Sequence, residues 1–181
     1  SAMSIGAQAV NLDADILLLG EMGSGNSTVS SALAASVFGG DVARWVGAGT
    51  GSDKAGIARK LAVVELGLKM HGRRRDLSAL LAFGGREQAA ICGAVLAARM
   101  AHIPVILDGF ICSAATAPLF GMAPDSLDHC LVGHVSAEPG HEHLLAAMAK
   151  SAILQLDMRL GEGTGAAVAL SILRGAAACH N

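Results

Sequence analysis

Two short runs of consecutive apolar residues constrain the fold of this chain more than any other feature. Asp15 to Gly20 reads DILLLG, and the run that begins at Pro104 reads PVILDGF. Strands that are apolar at every position are typical of a parallel sheet buried on both faces. A glycine-rich turn follows the first run, and the segment Asn26 to Phe38 then has apolar residues at helical spacing before a glycine pair. This order predicts the start of a βαβ unit.

The rest of the chain alternates in the same way. Asp53 to Met70 has Ile57, Leu61, Val64 and Leu68 on one stripe and is the clearest predicted helix. Further helices are predicted over Asp76 to Phe83, Glu87 to Ala101 and Gly165 to Ala178, with weaker strands over Cys130 to Val135 and Ile153 to Met158. We therefore expect an α/β, Rossmann-like domain, with a mostly parallel sheet and helices on both faces. Ser1 to Met3 resemble a purification-tag remnant and are set aside, which leaves a single α/β domain over residues 4–181.

Composition limits the partners of this domain. The formal net charge is -2 and aromatic residues make up 3%, with no tyrosine, so neither a basic field nor stacking platforms for nucleic acid are present. No apolar run reaches the roughly 18 residues that a membrane span requires. Apolar residues make up 52% of the chain, which favours a buried subunit surface and hence a homodimer. The four cysteines have no zinc-site spacing and predict reduced thiols in a cytoplasmic protein.

Ligands of doubly wound sheets bind beyond the carboxyl ends of the strands, so the loops at those positions are the candidates for a binding site. Five loops are rich in glycine or polar residues: Gly20–Thr28, Gly47–Gly51, Asp108–Phe110, Ser136–His141 and Gly161–Gly165. Glycines let backbone N–H groups approach an anion closely, and a following helix adds its positive end. A single such loop is better explained as a tight turn. Three Gly-x-Gly loops, placed at successive strand ends, favour a bound phosphate ester.

The first loop nearly matches a P-loop. Gly20, Gly25 and Ser27 occupy the fixed positions of G-x-x-x-x-G-K-[ST], but Asn26 stands where the lysine is required. Without that cation the β- and γ-phosphates of a nucleoside triphosphate lose their main counter-charge, so we reject an NTPase. Lys60 is the candidate replacement, although its spacing fits a solvated helix lysine equally well.

Two carboxylates, Glu21 and Glu162, stand directly among glycines at predicted strand ends. A carboxylate enclosed by glycine backbone with little water has a raised pKa, which suits removal of a proton from a weakly acidic N–H. Each is therefore a candidate base. One of them, and Glu21 more than Glu162, is alternatively a residue that only accepts backbone hydrogen bonds and fixes its loop.

The histidines invite a metal-binding hypothesis, which we reject. His134, His141 and His143 lie near Glu138 and Glu142 in the sequence. His141 and His143 begin a predicted helix, however, and side chains two residues apart on a helix point to different faces. No metal and no cofactor is expected.

Six motifs together resemble one family. They are GEMGSGNST, GAGTG with the downstream lysine, FGGRE, PVILDGF, GHVSAEPGH and MRLGEGTGAA, and they occur in the same order over about Asp15 to Ala178. The chain resembles the nicotinate-nucleotide:dimethylbenzimidazole phosphoribosyltransferase family. The resemblance implies transfer of the phosphoribosyl group of nicotinate mononucleotide to 5,6-dimethylbenzimidazole, giving α-ribazole 5′-phosphate and nicotinate without a metal. It also implies a homodimer.

The resemblance assigns roles to particular residues. Glu162 matches the family's catalytic base, and Glu21 is placed at the reacting ring and ribose. The phosphate is assigned to Gly49, Thr50, Gly51 and Lys60, and the nucleotide also contacts Ser136. The other residues expected to bind substrate are Gly23, Gly25, Asn26, Asp108, Gly161 and Gly163.

The chain also departs from the family pattern. Ser24 and Ser27 stand where family members usually have an aliphatic residue and a threonine, and Ala48 replaces a side chain that is commonly larger. None of these changes removes a charge that the reaction needs. The six motifs resemble the core and C-terminal part of the family, so we expect its N-terminal portion, which builds much of the wall around the acceptor base, to be missing from this sequence. Two alternatives therefore stay open: a non-catalytic module that binds a mononucleotide or phosphate, and a phosphoribosyltransferase with another acceptor base.

Overall fold

The computed structural model describes residues 1–49 and 51–180. The strands are β1 (Leu17–Leu19), β2 (Val105–Leu107), β3 (Cys130–His134) and β4 (Ala152–Leu154). The helices are α1 (Ala2–Gln8), α2 (Asn26–Phe38), α3 (Lys54–His71), α4 (Ser78–Phe83), α5 (Arg86–Met100), α6 (Phe110–Ala115), α7 (Ala117–Met122), α8 (Pro139–Ala147) and α9 (Thr164–His180). Short 3-10 turns cover Val42–Arg44 and Pro124–Leu127.

The four strands form one parallel sheet in the order β1-β2-β3-β4. Right-handed crossovers that always step in the same direction place their helices on one face of the sheet. The side chains of α2 to α8 accordingly share one large core with that face. The other face is covered by α9, which follows β4 and contacts all four strands. The predicted α/β fold with a parallel sheet and helices on both faces is confirmed.

The central strand β2 shows why apolar residues are needed at every position. Val105 and Leu107 belong to the large core, whereas Ile106 faces α9, and all three side chains are fully buried. The outer strands are shorter than predicted. β1 ends at Leu19 and not at Gly20, and β4 ends at Leu154 and not at Met158.

The predicted apolar stripe of the longest helix is confirmed. In α3, Val64 is buried, and Ile57, Leu61 and Leu68 pack against the core. The helix begins at Lys54, one residue later than predicted, because Asp53 is its N-cap and accepts a hydrogen bond from the Gly56 N–H at 2.7 Å.

Two of the three residues that the sequence analysis set aside take part in the first helix. Ala2 and Met3 lie in α1, and Met3 packs against the core. Helices α1 and α5 approach so closely that neither Gly6, beside the Ala90 carbonyl, nor Gly93, beside the Met3 carbonyl, has room for a Cβ. This contact joins the first residues of the chain to the domain.

Three of the four cysteines are buried, as the apolar stretches around them predict. Cys92, Cys112 and Cys130 are free and buried, whereas Cys179 is exposed. Burial raises the pKa of the Cys92 and Cys130 thiols to about 12, so both stay protonated at neutral pH. Among the helices of the described ranges, none combines the length and hydropathy needed to cross a membrane.

Candidate functional site

The loops at the carboxyl edge of the sheet meet in one cleft. All five loops singled out in the sequence contribute to its lining. The second loop, however, does not leave a strand as expected. It connects the Val42–Arg44 turn to α3 and reaches the cleft from the side.

Lys60 reaches back from α3 to this second loop. Its Nζ donates to Ser27 Oγ at 3.0 Å and to the Gly47 and Ala48 carbonyls at 3.3 Å each. Three acceptors match the three hydrogens of an ammonium group. A solvated surface lysine is therefore the wrong description, and the cation lies between the first and second loops.

The second loop has the backbone that its glycines predict. Gly49 and Gly51 have φ of 64° and 148°, in the range that favours glycine. The Gly49 N–H donates to Glu138 Oε1 of the fourth loop at 2.6 Å. Thr50, which is expected to bind phosphate, lies outside the described residues.

Glu21 lies half-buried in the cleft at the end of β1. Its Oε2 accepts a hydrogen bond from Asn26 Nδ2 at 2.5 Å. Burial raises the pKa of Glu21, the Asn26 hydrogen bond opposes this, and the neighbouring Asp108, Glu87 and Glu162 carboxylates raise it further. Asn26, in the P-loop lysine position, thus holds a carboxylate.

The first loop turns into α2 at Gly25, which is the N-cap residue and has φ of 83°. Gly23 faces the Asn26 amide so closely that a Cβ there would displace it. Both glycines line the cleft. They bring the N-terminus of α2, the positive end of the helix dipole, to the cleft wall.

The fifth loop is a run of three left-handed residues. Gly161, Glu162 and Gly163 have φ of 78°, 59° and 78°, and a non-glycine residue is strained in this backbone conformation. The Glu162 N–H donates to the Glu21 carbonyl at 3.2 Å, and Gly20 packs against Gly163 without room for a Cβ. The first and fifth loops are therefore joined through their backbones.

The side chain of Glu162 differs from the expectation. It is exposed and does not belong to the residues that line the cleft, although its neighbour Gly161 does. An enclosed carboxylate was predicted here, and the enclosed one is Glu21.

Asp108 anchors the fifth loop from beneath. It is buried at the end of β2, where Oδ2 accepts the Gly163 N–H at 3.2 Å and Oδ1 accepts the Ala166 N–H at 2.9 Å. A carboxylate is well placed at the positive N-terminus of α9. His134 Nε2 lies 3.9 Å from Asp108 Oδ1. Asp108 thus fixes a cleft wall that it also lines.

The fourth loop continues β3 in an extended conformation. The N–H groups of Val135 and Ala137 donate to the Leu154 and Met158 carbonyls, so His134, Ser136 and Glu138 alternate onto the cleft side. Each of these three side chains has one buried polar atom that finds no partner within the described part of the chain. Ser136 therefore lines the cleft with its hydroxyl available.

His141 has a structural role. The Ser136 N–H donates to its Nδ1 at 2.9 Å, so its proton is on Nε2, which faces Ser113 Oγ at 3.3 Å. Burial lowers the pKa of His141 to about 3, and the nearby His134 adds to the shift. His143 is exposed, which confirms that the pair points to different faces.

Comparison with known proteins decides the family. A family model described as phosphoribosyltransferase matches residues 1–181. The chain belongs to this phosphoribosyltransferase family. A relative from Rhodobacter capsulatus is 59% identical over 181 residues, which is 100% of this chain and 54% of the relative. One from Brucella canis is 51% identical over 183 residues, again 100% of this chain and 54% of the relative. Both are named nicotinate-nucleotide–dimethylbenzimidazole phosphoribosyltransferase.

Solved structures agree with this family. A crystal structure of CobT from Thermus thermophilus has a TM-score of 0.89 and 39% identity, and covers 97% of this chain and 53% of that protein. A second, described as a nicotinate-nucleotide-dimethylbenzimidazole phosphoribosyltransferase from the same organism, has a TM-score of 0.88 and 38% identity, with the same coverage. The chain spans about half the length of the relatives it matches.

Nine residues that line the cleft were not named as site residues from the sequence, and Glu138, Arg159 and Leu160 are three of them. Glu138 lies within the motif GHVSAEPGH, and Arg159 and Leu160 lie within MRLGEGTGAA. Arg159 is exposed at the mouth and adds a second cation to the cleft. Their positions beside motif glycines are the signal that would have identified them.

Proposed function

We propose that the cleft transfers the phosphoribosyl group of nicotinate mononucleotide to 5,6-dimethylbenzimidazole, giving α-ribazole 5′-phosphate and nicotinate. One observation carries the proposal: Lys60 lies where the first and second loops meet, and the half-buried Glu21 carboxylate lines the same cleft, in a chain whose relatives bear the name of this reaction. Because the chain spans about half of those relatives, activity, substrates and assembly are proposals for it.

The phosphate is assigned to the side where the first and second loops meet. The N-terminus of α2 brings the positive end of its dipole there, and Lys60 supplies a full positive charge. The Ser27 hydroxyl accepts from Lys60, so its own hydrogen is the group that it offers to a phosphate oxygen. The assignment of Thr50 and Gly51 to the phosphate site rests on the resemblance alone.

The reacting atoms are assigned to the side where the first and fifth loops meet. Nicotinate departs from a pyridinium, which is already a good leaving group, so the protein has to orient the two bases and take one proton. Attack of an imidazole nitrogen on C1′, from the face opposite the departing nicotinate, forms the new C–N bond and inverts that carbon. The inversion accounts for the α configuration.

We assign the base to Glu162 and an orienting role to Glu21. Glu162 is exposed beside the cleft, so its carboxylate is free to take the N–H proton of the imidazole and release it to water. Glu21 is held by Asn26 and half-buried, which suits a fixed contact with ring and ribose. We assign Ser136 a contact with the nucleotide, because it lines the same cleft.

The homodimer is also part of the proposal. Helix α3 carries a second apolar stripe opposite its buried one, in which Val63, Leu66 and Met70 are 59%, 56% and 68% exposed. A surface of this kind is suited to burial against a second subunit. Light scattering at micromolar concentration should give twice the chain mass, and a monomer mass would contradict the dimer. The cytoplasmic location expected from the cysteines stays a prediction.

A chromatographic assay tests the function. The purified chain is incubated with nicotinate mononucleotide and 5,6-dimethylbenzimidazole, and we expect α-ribazole 5′-phosphate and nicotinate to form in equal amounts only when both substrates are present. Absence of product together with absence of nucleotide binding would contradict the proposal. Nucleotide binding without product would support the non-catalytic module instead.

A further inference from the structure

The second glycine loop is held from two opposite sides by side chains of opposite charge. Lys60 Nζ donates hydrogen bonds to the Gly47 and Ala48 carbonyls at 3.3 Å each. Glu138 Oε1 accepts a hydrogen bond from the Gly49 N–H at 2.6 Å, although the two residues are 89 positions apart in the sequence. The two contacts act on the same short stretch of backbone.

The geometry of the peptide bond links the two contacts. In a planar trans peptide the C=O and the N–H point in opposite directions. The unit between Ala48 and Gly49 directs its carbonyl at Lys60 and its N–H at Glu138. Together the two side chains therefore fix the rotation of this peptide, and with it the direction of the backbone that enters the phosphate region.

Stability alone does not explain a carboxylate at this place. Glu138 Oε2 is buried against Gly47, which has no room for a Cβ, and finds no partner within the described residues. An unpaired buried carboxylate oxygen is unfavourable for folding. A negative charge beside a phosphate site is also unfavourable for phosphate binding. The contribution of Glu138 that remains is the orientation that its hydrogen bond gives to the Gly49 backbone.

We propose that Glu138 is a positioning residue of the phosphate site: it acts through the backbone of Gly49, together with Lys60, and sets the second loop in the conformation that receives the phosphate. This inference rests on the proposed function, in which that loop holds the phosphate of the nucleotide. It predicts that the hydrogen bond from Gly49 to Glu138 favours phosphate binding more than the negative charge of Glu138 opposes it. Removal of the Glu138 carboxylate should therefore weaken the binding of a phosphate.

The test is calorimetry with ribose 5-phosphate on the whole chain. Glu138→Ala should weaken binding by roughly tenfold or more, the effect of about one charge-assisted hydrogen bond. Glu138→Asp keeps the charge but loses the reach and should weaken binding similarly, whereas Glu138→Gln keeps an acceptor for the Gly49 N–H and should restore most of the affinity. Glu142→Ala is the matched control, because it removes an exposed carboxylate of α8 that does not line the cleft.

The opposite order would overturn the inference. If Glu138→Ala and Glu138→Asp bind ribose 5-phosphate as tightly as the parent, or more tightly, Glu138 does not position the loop. Hydrogen exchange of the Gly49 amide provides a second measurement that needs no ligand: exchange should be slow in the parent and in Glu138→Gln and faster in Glu138→Ala. Unchanged exchange in Glu138→Ala contradicts this inference, whereas failure of the parent to bind ribose 5-phosphate contradicts the proposed function.

Discussion

Glu21 and Glu162 look alike in the sequence and differ in the fold. Each follows a strand and stands beside glycine, and the two loops are joined by the hydrogen bond from the Glu162 N–H to the Glu21 carbonyl. The side chain of Glu21 is half-buried and held by Asn26, and burial raises its pKa. That of Glu162 is exposed, on a backbone with φ of 59°.

The difference comes from what surrounds each backbone. Glu21 directly precedes the turn into α2, whose first residue Asn26 lies within reach of its carboxylate. Glu162 is at the centre of a left-handed turn that Asp108 holds through the next residue, Gly163. A carboxylate fixed by a neighbour is suited to orient a substrate, and one in contact with solvent is suited to exchange protons. The predictions below test that division.

The largest expected effect is on turnover in Glu162→Gln. The amide keeps the size of the carboxylate but does not take the imidazole proton, so turnover should fall by roughly two to four decades, the scale of a general base. Binding of nicotinate mononucleotide should stay nearly unchanged. Steady-state rates from the chromatographic assay and calorimetry give the two values.

Glu21→Gln is the matched variant, and it should lower turnover less than Glu162→Gln does. If Glu162→Gln kept full activity and Glu21→Gln abolished it, the two roles would have to be exchanged. The enclosed carboxylate with the raised pKa would then be the base.

The next effect concerns the anchor of the fifth loop. Asp108→Ala should lower the free energy of unfolding by about 3 kcal/mol, since one buried and one partly buried N–H group lose their acceptor at about 1–3 kcal/mol each. Asp125→Ala removes an exposed carboxylate paired with Arg99 at 3.8 Å and should cost about 1 kcal/mol or less. Urea unfolding compares the two, and equal losses would show that Asp108 does not hold the loop.

Lys60→Ala tests the phosphate side of the cleft. It should weaken the binding of nicotinate mononucleotide by about 1–3 kcal/mol and hardly affect the corresponding nucleoside, because the positive charge beside the phosphate is lost together with the hydrogen bonds to Ser27 and the second loop. Lys54→Ala, at the exposed start of the same helix, should change neither. An equal loss for nucleotide and nucleoside would mean that Lys60 only supports the fold.

The smallest effect is the pH dependence of stability that Glu21 contributes. Its pKa in the folded protein lies above the ordinary value of 4.5, so the unfolded chain releases this proton first as pH rises. The stability associated with protonated Glu21 is therefore present below pH 4.5 and lost as pH rises through the folded-state pKa. Urea unfolding between about pH 4 and pH 7 should show the parent losing stability relative to Glu21→Gln. A constant difference would contradict the raised pKa.

The parts of this fold that depend on local pattern could be predicted from the sequence. The strand Val105–Leu107 was recognised because all three residues are apolar, and the turns at Gly25, Gly49 and Gly161 because only glycine adopts their backbone easily. Helix α6 was missed, since Phe110 to Ala115 is buried almost throughout and such a run does not distinguish a helix from a strand. Helix α1 was missed because its contact with α5 depends on two glycines far apart in the chain.

The pairings of side chains in the cleft could not be predicted. Spacing does not show that Asn26 turns to Glu21, that Asp108 reaches the fifth loop, or that Glu138 reaches Gly49. These contacts depend on how the loops pack over the sheet edge. The same packing decides that Glu162 is exposed while Glu21 is enclosed, which residue type and neighbouring glycines do not reveal.

The most direct measurement of the central claim is a titration of the isotope-labelled chain with nicotinate mononucleotide, followed by NMR. The account predicts binding in or below the millimolar range, with the largest shifts at the amides of Gly25, Gly49 and Gly161, which surround the cleft. No detectable binding in that range, or shifts concentrated away from these loops, would contradict a phosphoribosyl site in this cleft.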